Sequence, residues 1–239
     1  MAYPPIFAAV KACDVEALRR EIAAGGDPDM LHGGGAGLTP LYYAACSDSG
    51  PPGKQIRERL ECISVLLEAG ASVDKLVCGA TPLYLLVSTT PPEDRADEIA
   101  ALVEALVKAG ADVNWAHPPS RISVLTMAAQ SSTAGAVRML ISAGAVDLTT
   151  ALEFAIDNDK QRNCAPLLRA GASLPPHIAG TNPLPTRAYI EKIRAAGGYK
   201  AYEKAHRQRL VAMFLPRFPT LPVEMLERVL EFTWDIGGH

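Results

Sequence analysis

The chain has 239 residues, of which 49% are hydrophobic, so it can bury a sizeable core, and its formal net charge of −3 gives no overall field that would favour nucleic acid or an acidic membrane. Its five cysteines are widely spaced and include no Cys-x-x-Cys pair, which argues against a disulfide framework and against a zinc site. The first residues lack a basic stretch followed by an apolar run, and no stretch reaches the roughly 18 apolar residues of a membrane span. We therefore expect a soluble chain in a reducing compartment, the cytoplasm or the nucleus, with no membrane contact.

A short phrase recurs along the chain: AGGDPD at 24, AGASVD at 69, AGADVN at 109, AGAVDL at 143 and AGASLP at 170. Apolar residues at helical spacing precede each copy, such as Leu66 and Leu67 before the second, so each copy is predicted to end a helix. The glycine of each phrase can adopt the left-handed conformation that helix C-termini favour. These glycines are Gly25, Gly70, Gly110, Gly144 and Gly171.

Helix starts lie upstream of these helix ends. Thr39-Pro40 and Thr81-Pro82 place a capping hydroxyl before a proline in the first helical turn, and Ser123 and Thr150 repeat the cap without the proline. Each unit is thus two short helices and a turn, and neither helix is long enough to be stable alone in water. Neighbouring units must stack to bury their apolar faces.

These motifs resemble the ankyrin repeat, whose pattern runs from Thr-Pro-Leu-His-x-Ala-Ala through paired leucines to Gly-Ala-Asp-Val-Asn. The resemblance implies an all-α solenoid of about five irregular repeats over residues 1–176. The turn glycines are 45, 40, 34 and 27 residues apart by subtraction, against a family period of about 33. Polar, proline-rich stretches at 47–58 and 88–97 carry the surplus and are predicted to be solvent loops, whereas the fifth unit lacks a preceding finger and has Pro166 in its second helix.

The resemblance also implies that partners bind the concave face, which is built from the fingers after each turn and the exposed side of each first helix. Several of these positions are apolar here, where polar residues are usual, and apolar or aromatic side chains on a rigid surface commonly anchor a protein partner. The alternative is that the tail folds back over them. The candidate protein-binding residues are Met30, Leu31, Tyr43, Leu76, Val77, Leu85, Trp115, His117, Met127 and Gln130.

A linker at 177–185 separates the array from a helical tail at 186–239, where two helices are predicted to break at Gly197-Gly198. Residues 186–217 contain eight basic residues and two glutamates, a local charge of about +6, against −6 over residues 1–185. This charge is either a solvated helix face that complements the acidic array, which we expect, or a surface for an acidic partner. We expect the tail's tyrosines to pack on the last repeat and expect no nucleic-acid binding.

The chain ends in an amphipathic stretch that begins Leu-Pro-Val-Glu-Met-Leu. It resembles the opening of an F-box and, behind ankyrin repeats, the F-box-like (PRANC) tail of poxviral ankyrin proteins. The resemblance implies a substrate adaptor of a cullin-type ubiquitin ligase, and the alternative is a helix that caps the solenoid. The matching residues are Leu221, Pro222, Glu224, Leu226, Val229 and Leu230.

No catalytic constellation is found in the sequence. The five histidines are scattered, no cysteine has ligand spacing, and the GGGAG stretch at 33–37 lacks the Lys-Ser/Thr pair of a phosphate loop. We therefore predict a non-catalytic scaffold without cofactor or metal that binds a protein partner, with the ligase adaptor as the alternative.

Overall fold

A computed structural model of the chain describes residues 3–33, 37–46, 56–89, 95–176, 185–217, 222 and 224–225. Apart from three isolated β-bridges, these residues form helices, turns and loops. The contacts divide the chain into two compact units, Met1–Asp147 and Leu148–His239. The predicted domain boundaries at residues 176 and 186 stay predictions.

The first unit contains four helix pairs. Within it the first helix of each pair packs on the first helix of the next, and the second helices do the same, so the unit has two helical layers. The helices are α1 Pro5–Ala12, α2 Val15–Ala23, α3 Pro40–Cys46, α4 Ile56–Glu68, α5 Pro82–Val87, α6 Ala96–Lys108, α7 Val124–Ser131 and α8 Ala134–Ser142. Leucines from both layers, such as Leu41, Leu66, Leu83 and Leu106, are fully buried between them.

The predicted helix starts and ends in this unit are confirmed. The hydroxyls of Thr39, Thr81 and Ser123 accept hydrogen bonds from backbone N–H groups three residues on, at 3.1, 3.3 and 3.1 Å. The turn glycines have positive φ, for example +92° at Gly144. A β-carbon at Gly144 would meet nothing within 4 Å, so the conformation and not the space favours glycine there.

A buried arginine in α4, Arg59, links helices that flank the two long connections. Arg59 donates to the carbonyl oxygens of Ala44 at 3.1 Å and Ala45 at 2.8 Å, which lie in the last turn of α3 where helix carbonyls lack an intrahelical donor. Its guanidinium also pairs with Glu98 of α6, whose second oxygen accepts from Arg95 at 2.8 Å. One side chain thus links α3, α4 and α6. Residues 47–55 and 90–94, which belong to the two long connections, lie outside the described part.

The second unit begins with the pair α9 Leu148–Asp157 and α10 Gln161–Arg169, and continues with α11 Pro185–Ala195 and α12 Tyr199–Phe214. Pro166 lies inside α10, as predicted. The predicted start of α9 at Thr150 is wrong, because the helix already begins at Leu148. The Thr149 hydroxyl instead accepts from the Ser173 backbone at 3.2 Å and so ties the start of α9 to the turn after α10.

The tail helices follow the predicted pattern. Gly197 and Gly198 separate α11 from α12 with φ of +86° and +113°. Both helices contact α10, and Tyr189 and Tyr199 are buried, which confirms that aromatic residues of the tail pack on the last helix pair. A short 3₁₀ helix, Leu215–Arg217, follows α12 directly.

Candidate protein-binding face

The turns of the first unit are joined by a repeated hydrogen bond. The acceptor is a side-chain oxygen of the residue four positions after one turn glycine, and the donor is the backbone N–H two positions after the following turn glycine. Asp29 accepts from Ser72 at 3.0 Å, and Asp74 accepts from Asp112 at 3.0 Å. Asn114 accepts from Val146 at 3.1 Å and also donates to the Gly144 carbonyl at 3.2 Å. We call this series the turn ladder. It fixes each turn relative to the next and thus sets the position of the fingers.

Burial is the main influence on the pKa of Asp74, the acceptor of the middle bond of the ladder, and it raises that pKa. The hydrogen bond from the Asp112 N–H lowers the pKa, and the charge of the Asp112 carboxylate raises it further. The bond from the Asp112 backbone therefore holds a carboxylate that is partly removed from water.

A short hairpin follows each of the first three turns. The three fingers are closed by the antiparallel bridges His32↔Leu38, Val77↔Ala80 and Ala116↔Ser123. In the second finger only Cys78 and Gly79 lie between the bridged residues, and both have positive φ, of +54° and +83°, as a type I′ turn requires. The described residues of each finger are therefore held by backbone hydrogen bonds at its base.

Two leucines stand at the same position in successive fingers, six residues after the turn glycine. Leu31 is 57% exposed and Leu76 is 54% exposed. Leu31 packs against the backbone of its own hairpin, since a β-carbon at Gly37 would lie 3.1 Å from the Leu31 β-carbon. Met30, next to Leu31, is half-buried. The first two fingers thus carry the large exposed side chains that the sequence predicted there.

Val77 does not belong to this surface. The sequence placed it among the binding residues, but its side chain is fully buried. Successive side chains of an extended segment point to opposite sides, so the outward position of Leu76 sends Val77 inward. Val77 is therefore a core residue at the base of the second finger.

Aromatic side chains connect the third finger to the first helix of the preceding pair. Tyr84 of α5 lies edge-on to Trp115 and stacks on His117, with ring centroids 5.1 and 5.6 Å apart. Burial raises the pKa of the Tyr84 phenol, and a hydrogen bond with Ser120 opposes that rise. Trp115 and His117 keep part of their surface exposed. They are held rigidly and still reach solvent.

A second aromatic group joins the first finger to α1 and α3. Tyr43 makes edge-to-face contacts with Phe7 at 6.1 Å and Tyr3 at 6.3 Å, and His32 lies 5.1 Å from the Phe7 ring centroid. The Lys11 ammonium lies 4.5 Å from the Tyr3 ring centre. Tyr43 is therefore a half-buried part of a packed group and not an isolated surface ring.

The remaining predicted residues lie on the first helices. Leu85 of α5 and Met127 and Gln130 of α7 are half-buried. The Met127 sulfur accepts from the Gln130 amide and the Ser131 hydroxyl, both at 3.7 Å, so Met127 is held in place. We use "finger face" for the partly or fully exposed set Met30, Leu31, Tyr43, Leu76, Leu85, Trp115, His117, Met127 and Gln130.

The sequence did not single out some residues that shape this face. Tyr84 and Tyr3 extend the two aromatic groups, and the turn ladder positions the fingers. The Asp or Asn four positions after each of the first three turn glycines was the available signal for the ladder. Arg59 had no signal, since an arginine in an amphipathic helix usually faces solvent.

Most of the F-box-like residues lie outside the described residues: Leu221, Leu226, Val229 and Leu230. Pro222 and Glu224 are exposed, and the Pro222 carbonyl accepts from the Met225 N–H at 3.0 Å.

Chemistry of other kinds finds little support in the described part of the chain. No group of three or more His, Cys, Asp or Glu side chains there is arranged to hold a metal ion. A cleft lined by Tyr43, Arg59 and Cys62 among others has a volume of about 20 Å³, room for about one water molecule. Among the helices described, none has the length and apolar character needed to cross a bilayer.

Comparison with known proteins agrees with this architecture. The family model of the ankyrin repeat matches residues 36–76, which run from the first finger through α3 and α4 into the second finger. A solved structure of the human ASB11 ankyrin repeat domain is similar at a TM-score of 0.55 and 22% sequence identity, over 72% of this chain and 71% of that chain. Curated protein sequences give no match.

The fold is that of an all-α ankyrin-repeat solenoid. Residues 36–76 also match the family model of the ankyrin repeat, in agreement with this fold. Ankyrin repeats are typically modules for protein interaction and not enzymes, and neither comparison points to a catalytic family.

Proposed function

We propose that this protein is a non-catalytic scaffold that binds a protein partner through the finger face, in the cytoplasm or nucleus. The observation that carries the proposal is the exposure of Leu31 and Leu76 at the same position of two ordered fingers. Large apolar side chains on a rigid surface lose little conformational freedom on binding, so they are suited to anchor a partner.

The aromatic groups support the same face. Trp115 and Tyr43 are held by ring contacts and keep part of their surface exposed. Rings fixed in this way, with nearby polar groups such as Gln130, resemble the buried anchors and polar surroundings of protein interfaces. The partner surface that fits is apolar at its centre.

The test is affinity purification with mass spectrometry, using the full chain and the variant Leu76→Ala with Trp115→Ala. We expect a specific partner to be recovered with the wild type and at least about tenfold less with the variant. Val146→Ala is the matched control, because Val146 is 76% exposed but lies in a turn outside the finger face. Equal recovery by the double variant, with an unchanged melting temperature, would remove the finger face as the binding site.

A second candidate function rests on the Leu-Pro-x-Glu-Met-Leu pattern at 221–226. We propose, as the alternative, that the C-terminal segment recruits a cullin-type ubiquitin ligase and the repeats select its target. Recovery of a cullin and its adaptor, lost on Leu226→Asp with Leu230→Asp, would support this role. Recovery of a partner without them would leave the scaffold alone.

A further inference from the structure

Helix α12 exposes most of its length. Of its 16 residues only Tyr199 is buried, and Tyr202, Glu203 and His206 are among those that are half-buried. The fully exposed residues form an arc of about half the helix circumference, with Lys200 and Lys204 at one edge, Arg209 toward the other and three alanines between them. These residues are Lys200, Ala201, Lys204, Ala205, Gln208, Arg209, Ala212 and Met213.

The cations of this side, Lys200, Lys204 and Arg209, form no ion pair with a carboxylate that the structure describes. The one acidic residue of α12, Glu203, is engaged by Arg169 of α10 at 2.7 Å. Other cations of the unit do find partners, as Arg187 does with Asp157 at 3.9 Å.

The arrangement is unfavourable for an isolated helix. Lys200 lies in the first turn, where the helix dipole disfavours positive charge, and that turn has no acidic residue and no side-chain cap. Lys200 and Lys204 are four residues apart, a spacing at which like charges repel. Burial first and then the charge of Arg209 lower the pKa of His206.

We propose that the outward side of α12, carrying Lys200, Lys204 and Arg209, docks an acidic helical segment of a partner protein. Nine residues at about 100° each place Arg209 about 180° around the helix from Lys200, so the cations lie on the two edges of the alanine strip and span about 13.5 Å along it. Carboxylates on both sides of a partner helix seated on the strip can face them. The alanines let the partner's backbone approach closely. This surface is separate from the finger face, and its assignment does not depend on the proposed function.

A protein segment fits better than nucleic acid. A nucleic acid is a long polyanion whose charge would extend past α12, and residues 1–185 have a net charge of −6. A short acidic segment places its charges only where the cations are.

The experiment is an NMR titration of the full ¹⁵N-labelled chain at about 50 mM salt, where the Debye length exceeds 10 Å. The probe is a 16-residue alanine-based peptide with two rows of glutamates that flank one alanine face of its helix, and the same peptide with glutamine is its control. We expect shifts confined to residues 199–213, with the glutamate peptide only. The triple variant Lys200→Glu, Lys204→Glu, Arg209→Glu should bind at least about tenfold more weakly.

A second triple variant makes the same change in net charge, from −3 to −9, at exposed cations of the first unit: Arg19→Glu, Lys108→Glu, Arg138→Glu. It should bind the peptide within about threefold of the wild type, because the cations of α12 remain. Shifts spread over the molecule, equal loss in both triple variants, or no shifts at millimolar peptide would overturn the proposal. Tighter binding of a 16-nucleotide single-stranded DNA would assign the surface to nucleic acid instead.

The chain's own acidic C-terminal residues, 218–239, are another occupant that the test resolves. If the α12 triple variant shifts the signals of these residues without any peptide, they occupy the surface and an external partner is refuted.

Stability supplies an independent measurement. Lys200→Glu places an acid in the first turn and removes the repulsion from Lys204, so we expect Tm to rise by about 1–4 °C while peptide binding weakens. A residue whose role is to support the fold would instead lower Tm when its charge is reversed.

Discussion

The buried Arg59 offers the sharpest test of how the irregular repeats are held together. We expect Arg59→Met to destabilise the chain by about 2–5 kcal/mol. Each of the two buried carbonyls of α3 loses its donor, at about 1–3 kcal/mol each. Glu98 keeps its bond to Arg95, so the loss of the ion pair adds little, and methionine fills most of the volume of the arginine stem.

Urea unfolding followed by circular dichroism measures this change. At an m-value of about 2 kcal/mol/M, the midpoint should fall by about 1–2.5 M. Arg57→Met is the matched control in the same helix, because the Arg57 side chain is 81% exposed and, among the described residues, pairs with Glu61 at the surface. It should cost at most about 0.5 kcal/mol. Arg59→Lys should lie between the two, since an ammonium cannot reach both carbonyls and Glu98 as a guanidinium does. If Arg59→Met and Arg57→Met agree within about 0.5 kcal/mol, the bridging role is refuted.

Three further predictions follow from particular groups. Hydrogen bonding from Arg95 is the main cause that holds the pKa of Glu98 below its ordinary value of 4.5. The contribution of ionised Glu98 to the free energy of unfolding is therefore present above pH 4.5 and lost as the pH falls. Glu98→Gln should flatten the pH dependence of the free energy of unfolding between about pH 5 and 3. Gly144→Ala should lower the free energy of unfolding by about 1–2 kcal/mol, because residue 144 has a left-handed backbone that alanine resists. Gly144→Asn should lower it clearly less. Thermal unfolding measures both changes, and equal losses would contradict this cause. Exposed Cys78 should react first with a thiol reagent, whereas half-buried Cys46, whose pKa burial raises to about 12, should react much more slowly, as peptide mapping would show.

The sequence predicts those features of the fold that depend on local chemistry. The hydroxyl before Pro82 caps the start of a helix and Gly110 ends one through local backbone chemistry, which does not depend on the later course of the chain. The predicted positions of this helix start and this helix end were therefore correct. The start of α9 was misplaced because Thr150 has the residue type of a cap, while the chain enters the helix two residues earlier, directly from the turn at Asp147. Local composition does not distinguish these two starts.

Features that depend on tertiary contacts were harder to predict. Exposure at Leu76 and burial at Val77 follow from the direction of the hairpin, and the two residues are alike in sequence terms. The role of Arg59 requires two carbonyls from another helix and a carboxylate from a third. The aromatic group at Tyr84 depends on the length of the third finger, which brings Trp115 and His117 back over α5.

The turn ladder has a polarity that affects how the array tolerates change. Each acceptor side chain lies in the earlier of two turns and the backbone N–H that donates to it lies in the later one. Every bond of the ladder therefore joins two adjacent repeats. Removing an internal unit would bring Asp29 opposite Asp112, or Asp74 opposite Val146, and the same bond would form again. By the ladder alone, a whole repeat can be removed without loss of a bond, whereas a deletion of part of one leaves an acceptor facing the wrong backbone atom.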